Sequence, residues 1–208
     1  MAIESKIEEH EHTALAPALH ALRAGEVIVY PTETFYGLGV DFSVRGALER
    51  LFLVKAREPG KPIALIAATA EMAFSVARAV PPAARRLAEK FWPGPLTLVL
   101  PAVPGLPDAL VGPDGGVGVR VSSHRIARAL AAAMGRPLTA TSANLAGAPP
   151  ARTISEARAA LENRVAVYLD GGTMSAAAPS TVVTFEGSRT RLLRAGAIAE
   201  AALHNNLK

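Results

Sequence analysis

Val27-Ile28-Val29-Tyr30, followed at once by Pro31-Thr32-Glu33-Thr34-Phe35-Tyr36-Gly37-Leu38-Gly39, is the stretch that decides the fold. The first four residues are β-branched or aromatic and read as a buried strand. Pro31 ends it, because proline cannot donate to a strand ladder. The nine residues from Pro31 read as a strand-to-loop corner holding two threonines, a carboxylate and a tyrosine. Gly37 and Gly39 then permit close backbone approach to a ligand. Upstream, Thr13 is placed to cap a helix in which Leu15, Leu19 and Leu22 recur at helical spacing, stopped by Gly25. Helix, buried strand and polar corner in succession suit an α/β sheet, where ligand sites gather at strand ends. A turn capped by its own threonines is the plainer reading of the same corner.

Downstream the alternation continues. Ser43 is placed to cap a second helix with Val44, Leu48, Leu51 and Phe52 on one side, and 63–66 reads as a buried strand. Thr69 and the Pro81-Pro82 pair open two further helices, the second ending near Phe91. Strands are expected over 96–100, 117–121, 138–142, 165–169, 181–185 and 191–193. Helices are expected over 126–134, 155–161 and shortly after Gly196. Alternating elements predict an α/β fold around one twisted sheet flanked by helices. The late strands follow one another without helices between them, so the sheet is expected to be mixed. One domain is expected over 13–204, after a flexible tail over 1–12 and with no C-terminal extension domain. Segments 103–116 and 171–179 are rich in Gly, Pro or Ala and read as loops of functional length. The Gly171-Gly172 pair makes the second a candidate lid.

Composition narrows the function. Half of the 208 residues are hydrophobic and 19% are charged, so the chain can bury enough apolar surface to fold. With no cysteine, disulfide frameworks, thiol nucleophiles and cysteine-ligated metals are excluded. Lys and Arg number 22 against 18 Asp and Glu, a net charge of +4 that permits anionic ligands without amounting to a nucleic-acid footprint. The acidic start lacks a signal-peptide pattern, and no run of about 18 apolar residues predicts a membrane span. A cytoplasmic protein without membrane contact is expected. His10 and His12, among Glu8, Glu9 and Glu11, read as a solvated tail rather than a metal site. The P-loop, the dinucleotide fingerprint and the nucleophile elbow do not occur in the sequence.

Three further constellations carry chemistry. Lys55-Ala56-Arg57-Glu58-Pro59-Gly60-Lys61-Pro62 puts three cations on a segment that Pro and Gly keep out of a helix, which suits either a polyphosphate or a solvated basic loop. Thr141-Ser142-Ala143-Asn144 ends a strand in small hydroxyl and amide groups, fit for a polar ligand or for capping a loop. Ser180-Thr181-Val182-Val183 and Leu192-Leu193-Arg194-Ala195-Gly196 place one arginine at an apolar strand end, as an ion-pair partner or a phosphate clamp. Trp92-Pro93-Gly94-Pro95 reads as a structural corner.

Taken in this order, PTETFYGLG (31–39), KAREPGKP (55–62), WPGPLTLVL (92–100), GVRV (118–121), TSAN (141–144), STVV (180–183) and LLRAG (192–196) resemble the YrdC-like family of L-threonylcarbamoyladenylate synthases. The resemblance runs from about residue 15 to 200 and is similar to the short bacterial form. It implies a YrdC-like fold with a concave basic site. It also implies a nucleotidyltransferase that makes threonylcarbamoyl-AMP and pyrophosphate from L-threonine, bicarbonate and ATP, for threonylcarbamoyladenosine in tRNA. Lys55, Arg57, Lys61, Ser142, Asn144 and Arg194 would bind ATP; Thr34, Arg120 and Ser180 would bind threonine. No covalent nucleophile and no protein metal site are implied; Mg²⁺ would arrive with ATP, and no organic cofactor is needed. Downstream partners would be tRNA threonylcarbamoyl-transfer proteins, with tRNA or double-stranded RNA contact left open. Glu58 departs from the family's usual Pro after the arginine, and Ile66 stands where longer members carry a histidine. The K-x-R signature argues against paralogues that lack it. The rival reading is a non-catalytic module binding double-stranded RNA or the ribosome; aromatics at 5% leave few platforms for stacking single-stranded bases.

Overall fold

Strict alternation along the strands sorts apolar side chains onto the two faces of one sheet. The computed structural model describes residues 14–56, 60–187 and 189–205. The expected tail over 1–12 with its histidines, the Thr13 cap, Arg57 and Glu58 lie outside the described residues. The strands are β1 (Ile28–Tyr30), β2 (Gly37–Gly39), β3 (Ala64–Ala67), β4 (Leu96–Pro101), β5 (Gly116–Val121), β6 (Leu138–Ser142), β7 (Val167–Tyr168), β8 (Thr181–Glu186) and β9 (Arg189–Arg194). They form a sheet in the order β7-β1-β2-β6-β3-β5-β4-β8-β9. It is mixed as expected: β1–β7, β3–β5 and β4–β8 are parallel and the other neighbours antiparallel. The helices are α1 (14–23), α2 (Ala47–Lys55), α3 (Ala70–Phe74), α4 (Pro82–Phe91), α5 (Arg125–Met134), α6 (Ile154–Leu161) and α7 (Glu200–Asn205).

One face of the sheet is buried across its central strands, whereas β7 and β9 at the edges hold no buried residue. Val29 of β1, Leu38 of β2, Leu65 of β3, Leu98 of β4 and Val119 of β5 join Leu51 of α2, Leu87 of α4 and Leu161 of α6 in the larger core. The opposite face is split. Ile28, Tyr30, Ile66 and Leu138 pack against Leu15, Leu19 and Leu22 of α1 and Leu130 of α5. Beyond them the same face carries small and polar residues, and no part of this second core covers it.

Several elements form for the reasons legible in their residues. Gly25, at φ 72°, ends α1 by letting the Glu26 amide donate to the Ala21 carbonyl at 2.9 Å and its own amide to Leu22 at 2.9 Å. Thr69 caps α3 by accepting from the Met72 amide, and Thr153 with Glu156 makes a reciprocal capping box at α6. The Trp92 indole donates to the Leu96 carbonyl at 2.6 Å beside a cis Trp92–Pro93 peptide, so that corner is structural.

Four expectations are corrected. Ser43 caps no helix: its amide and hydroxyl both donate to Asp41 Oδ1, and α2 starts only at Ala47 behind Gly46, at φ 81°. Gly37-Leu38-Gly39 is a strand, not part of a loop. There, Gly39 gives its close approach to Tyr30 rather than to a ligand. A Cβ on Gly39 would lie 2.7 Å from the Tyr30 ring, which crosses β2 so that its hydroxyl donates to the Thr139 carbonyl of β6 at 2.9 Å. Lys55 is the last residue of α2, so the basic segment leaves the helix only at Ala56, in left-handed conformation at φ 48°. Segment 103–116 is not wholly irregular, since Asp108–Leu110 is a 3₁₀ turn and Val111 bridges to Val117.

Candidate active site

The uncovered half of the sheet face floors a cavity of about 1750 Å³. Alternation delivers Ala64 from β3, Thr97 and Val99 from β4, Gly118 and Arg120 from β5, Ala140 and Ser142 from β6, and Val182 and Thr184 from β8. The 31–36 turn and the 60–63 and 112–116 segments wall it. Thr34, Lys55, Lys61, Arg120, Ser142, Asn144, Ser180 and Arg194 all border it. Eight of the nine residues singled out from sequence thus meet in one place, although they come from segments up to 160 positions apart (34 to 194). The ninth, Arg57, falls outside the described residues.

At one end, the buried Lys55 ammonium donates to the Ser142 carbonyl at 2.6 Å and to Asn144 Oδ1 at 2.7 Å, with Ser142 Oγ and the Asn144 carbonyl also in reach. Ser142 Oγ donates to Asn144 Oδ1 at 2.6 Å, and the Asn144 amide group donates to the Ala148 carbonyl. The lysine charge therefore fixes the hydroxyl and amide that end β6, in addition to adding positive potential. At the other end, the Arg194 guanidinium donates to the Ser180 carbonyl at 2.8 Å and to Ser180 Oγ at 2.9 Å. Ser180 Oγ also lies 2.9 Å from Thr97 Oγ1. Burial, and then the nearby Arg120 charge, lower the Arg194 pKa. Two arginines held so close favour an anionic ligand, which relieves their repulsion.

Sequence reasoning placed Thr32 and Glu33 in the polar corner without giving either a role, and it missed Thr97. Thr32 Oγ1 organises the turn: it accepts from the Thr34 and Phe35 amides, donates to the Phe35 carbonyl at 2.6 Å, and lies 3.1 Å from Thr34 Oγ1. Glu33 Oε1 lies 3.4 Å from Arg120 Nε in a nearly buried ion pair. Thr97 is the polar interruption in an otherwise apolar Leu96–Leu100 run, and that interruption was its signal. The candidate lid is fastened at both ends. The Tyr36 hydroxyl donates to the Gly172 carbonyl at 2.7 Å and accepts from the Gly171 amide at 3.0 Å. Burial in that setting raises the Tyr36 pKa. Met174 is buried and exchanges hydrogen bonds with Arg152, and Pro179 borders the cavity.

Five cations, Lys55, Lys61, Arg120, Arg191 and Arg194, line the cavity against two carboxylates, Asp114 and Glu186. Its volume exceeds the roughly 300–1,000 Å³ usual for one small ligand, so two substrates fit side by side. The groups present can neutralise phosphates and a carboxylate and hydrogen-bond small polar groups. Among the described residues, no three His, Asp or Glu side chains cluster as metal ligands, and no helix is long and apolar enough to cross a membrane.

The family model Sua5_yciO_yrdC, described as "Telomere recombination", matches residues 20–196. A threonylcarbamoyl-AMP synthase of Thiobacillus denitrificans is 42% identical over 168 residues, covering 80% of this chain and 89% of that protein. A crystal structure of P. abyssi Sua5 complexed with L-threonine superposes with a TM-score of 0.86 at 33% identity, over 91% of this chain and 56% of that one. E. coli YciO superposes with a TM-score of 0.79 at 28% identity, over 89% of this chain and 90% of that one.

Proposed function

The chain belongs to the Sua5_yciO_yrdC family, and we infer that its reaction is that of a threonylcarbamoyl-AMP synthase. As such it is an ATP-using nucleotidyltransferase that serves threonylcarbamoyladenosine formation in tRNA. L-threonine, bicarbonate and ATP give threonylcarbamoyl-AMP, pyrophosphate and water. The observation that carries this reading is that eight polar and charged residues from segments far apart in the chain border one cationic cavity with room for two substrates.

Arg120 takes the threonine carboxylate, with Thr34 and Ser180 on its remaining polar groups. Lys55, Lys61 and Arg194 offset phosphate charge, and Arg57 joins them from the K-x-R signature. Ser142 and Asn144, held by Lys55, meet the nucleotide. The threonine amine attacks CO₂ with release of a proton, or bicarbonate with loss of water, and the resulting carbamate attacks the α-phosphorus in line, expelling pyrophosphate. The chain contributes positioning and charge neutralisation rather than a covalent intermediate. Mg²⁺ would enter with the ATP substrate, bound to its phosphates. We read residues 13–204 as one catalytic unit working in the cytoplasm, where ATP and tRNA meet, and handing its product to tRNA-transfer proteins.

The test is pyrophosphate release. It should require threonine, bicarbonate and ATP together, with kcat/KM falling from threonine to serine to valine. A site that hydrogen-bonds the hydroxyl rejects valine by up to about 10⁴, whereas serine loses one methyl group, worth roughly 1–3 kcal/mol. Release that ignores threonine would overturn the reading. Valine at or above serine would overturn the roles of Thr34 and Ser180.

A further inference from the structure

Thr32 and Thr34 border the cavity, but Glu33, between them, is spent elsewhere. Its Oε1 lies 3.4 Å from Arg120 Nε, and both side chains are only 10% exposed. Ser122, fully buried and two residues beyond Arg120 in the chain, donates its hydroxyl to Glu33 Oε2. The same Ser122 Oγ accepts from the His124 amide at 3.1 Å, which fixes the hydroxyl's direction. One carboxylate oxygen is therefore anchored and the other is turned to the guanidinium.

We propose that Glu33 is the positioning residue for Arg120 and thereby sets affinity for the amino-acid carboxylate far more than affinity for ATP. This rests on the functional reading above. Two physical features carry it. First, Arg120 borders the cavity while its Nε side is buried against Glu33, so the carboxylate fixes the inner edge of the fork that the substrate must meet. Second, Arg120 sits close enough to Arg194 to depress the latter's pKa, so without a counter-charge the two guanidinium groups would repel and Arg120 would swing away. The contact is coulombic. Neither Glu33 Oε1 nor Arg120 Nε makes a hydrogen bond, although both atoms are buried. Lys55 hydrogen-bonds the end of β6, and Arg120 reaches the nucleotide side through its charge on Arg194, so the larger effect falls on threonine and a smaller one on ATP.

Glu33→Gln keeps the shape and removes the charge. The KM for threonine should rise about tenfold or more, while the KM for ATP stays within about twofold. Calorimetric titration with threonine alone should show the same weakening. Glu33→Asp, which keeps the charge, should recover part of the loss. Ser122→Ala, which frees the carboxylate without removing it, should give a smaller rise confined to threonine. An unchanged threonine KM in Glu33→Gln, or an equal rise for ATP, would overturn the proposal, as would a lower melting temperature with both KM values intact. If Glu33→Gln fails to fold, the Glu33→Asp and Ser122→Ala pair decides by the same split between substrates. Wild-type protein that neither binds threonine nor releases pyrophosphate would instead overturn the functional reading, and Glu33's role with it.

Discussion

On one face of the sheet, Ile28, Tyr30, Ile66 and Leu138 lie under α1 and α5, whereas Ala64, Thr97, Gly118 and Ser142 floor an open cavity. The two halves share strands: Ile66 and Ala64 are two residues apart on β3, and Leu138 and Ser142 lie on β6. Backbone geometry is the same in both, and side-chain size and polarity differ. Large apolar groups gain about 25 cal/mol for each Å² they bury, enough to hold a helix across them. Glycine, alanine, threonine and serine offer too little apolar area for that, and their hydroxyls favour a polar ligand or water. A sheet of this kind makes core or binding site by changing the residues at alternate positions.

The comparison can be broken most strongly on its covered half. Leu130 of α5 is fully buried there, and Leu130→Ala should cost about 2–5 kcal/mol of stability. Urea denaturation should show it, with KM values for threonine and ATP unchanged in the folded protein. Altered KM values would mean that the halves are not separable.

The converse change is made on the open half. A Cβ on Gly118 would stand 3.4 Å from Thr97 Cγ2 and 3.6 Å from Ala64 Cβ, ordinary contact distances, so a longer side chain extends into the cavity. Gly118→Leu should lower kcat/KM by on the order of 10²-fold, about 2.7 kcal/mol, by occupying substrate space. Its melting temperature should hold or rise, because glycine weakens a strand interior. A protein that loses stability and activity together would show that Gly118 is a packing residue.

The smallest effect is expected on the opposite face, covered across its central strands. Thr153→Ala removes the α6 capping box and should cost about 1 kcal/mol. The urea midpoint should fall while pyrophosphate release stays unchanged.

The legibility of the sequence follows the same division. Helix caps, glycine stops and apolar runs are local, so Thr69, Gly25 and the strands 96–101 and 138–142 could be read from neighbours in the chain. β2 could not, because two glycines flanking one leucine look like a loop until the Tyr30 ring that crosses them is known. Ser43 resembled a cap because its competitor, Asp41, is recognised only from the turn it makes. For the site, the resemblance of seven ordered motifs to the YrdC-like family nominated Thr34, Lys55, Lys61, Arg120, Ser142, Asn144, Ser180 and Arg194, while residue chemistry alone left each constellation a plainer structural reading. Partnerships were not readable: that Lys55 holds Asn144, that Arg194 holds Ser180 and that Glu33 backs Arg120 depend on pairings between residues 89, 14 and 87 positions apart (55 to 144, 180 to 194, 33 to 120).

By itself, then, the sequence determined most element types, the mixed α/β class and, through its ordered motifs, the residue set of the site, because propensity, capping and motif residues act over a few positions. Only the tertiary structure decided that β2 lies between β1 and β6 and that half of one sheet face stays open. It alone put Glu33 behind Arg120, since strand order and register bring together residues whose separation in the chain carries no local signal.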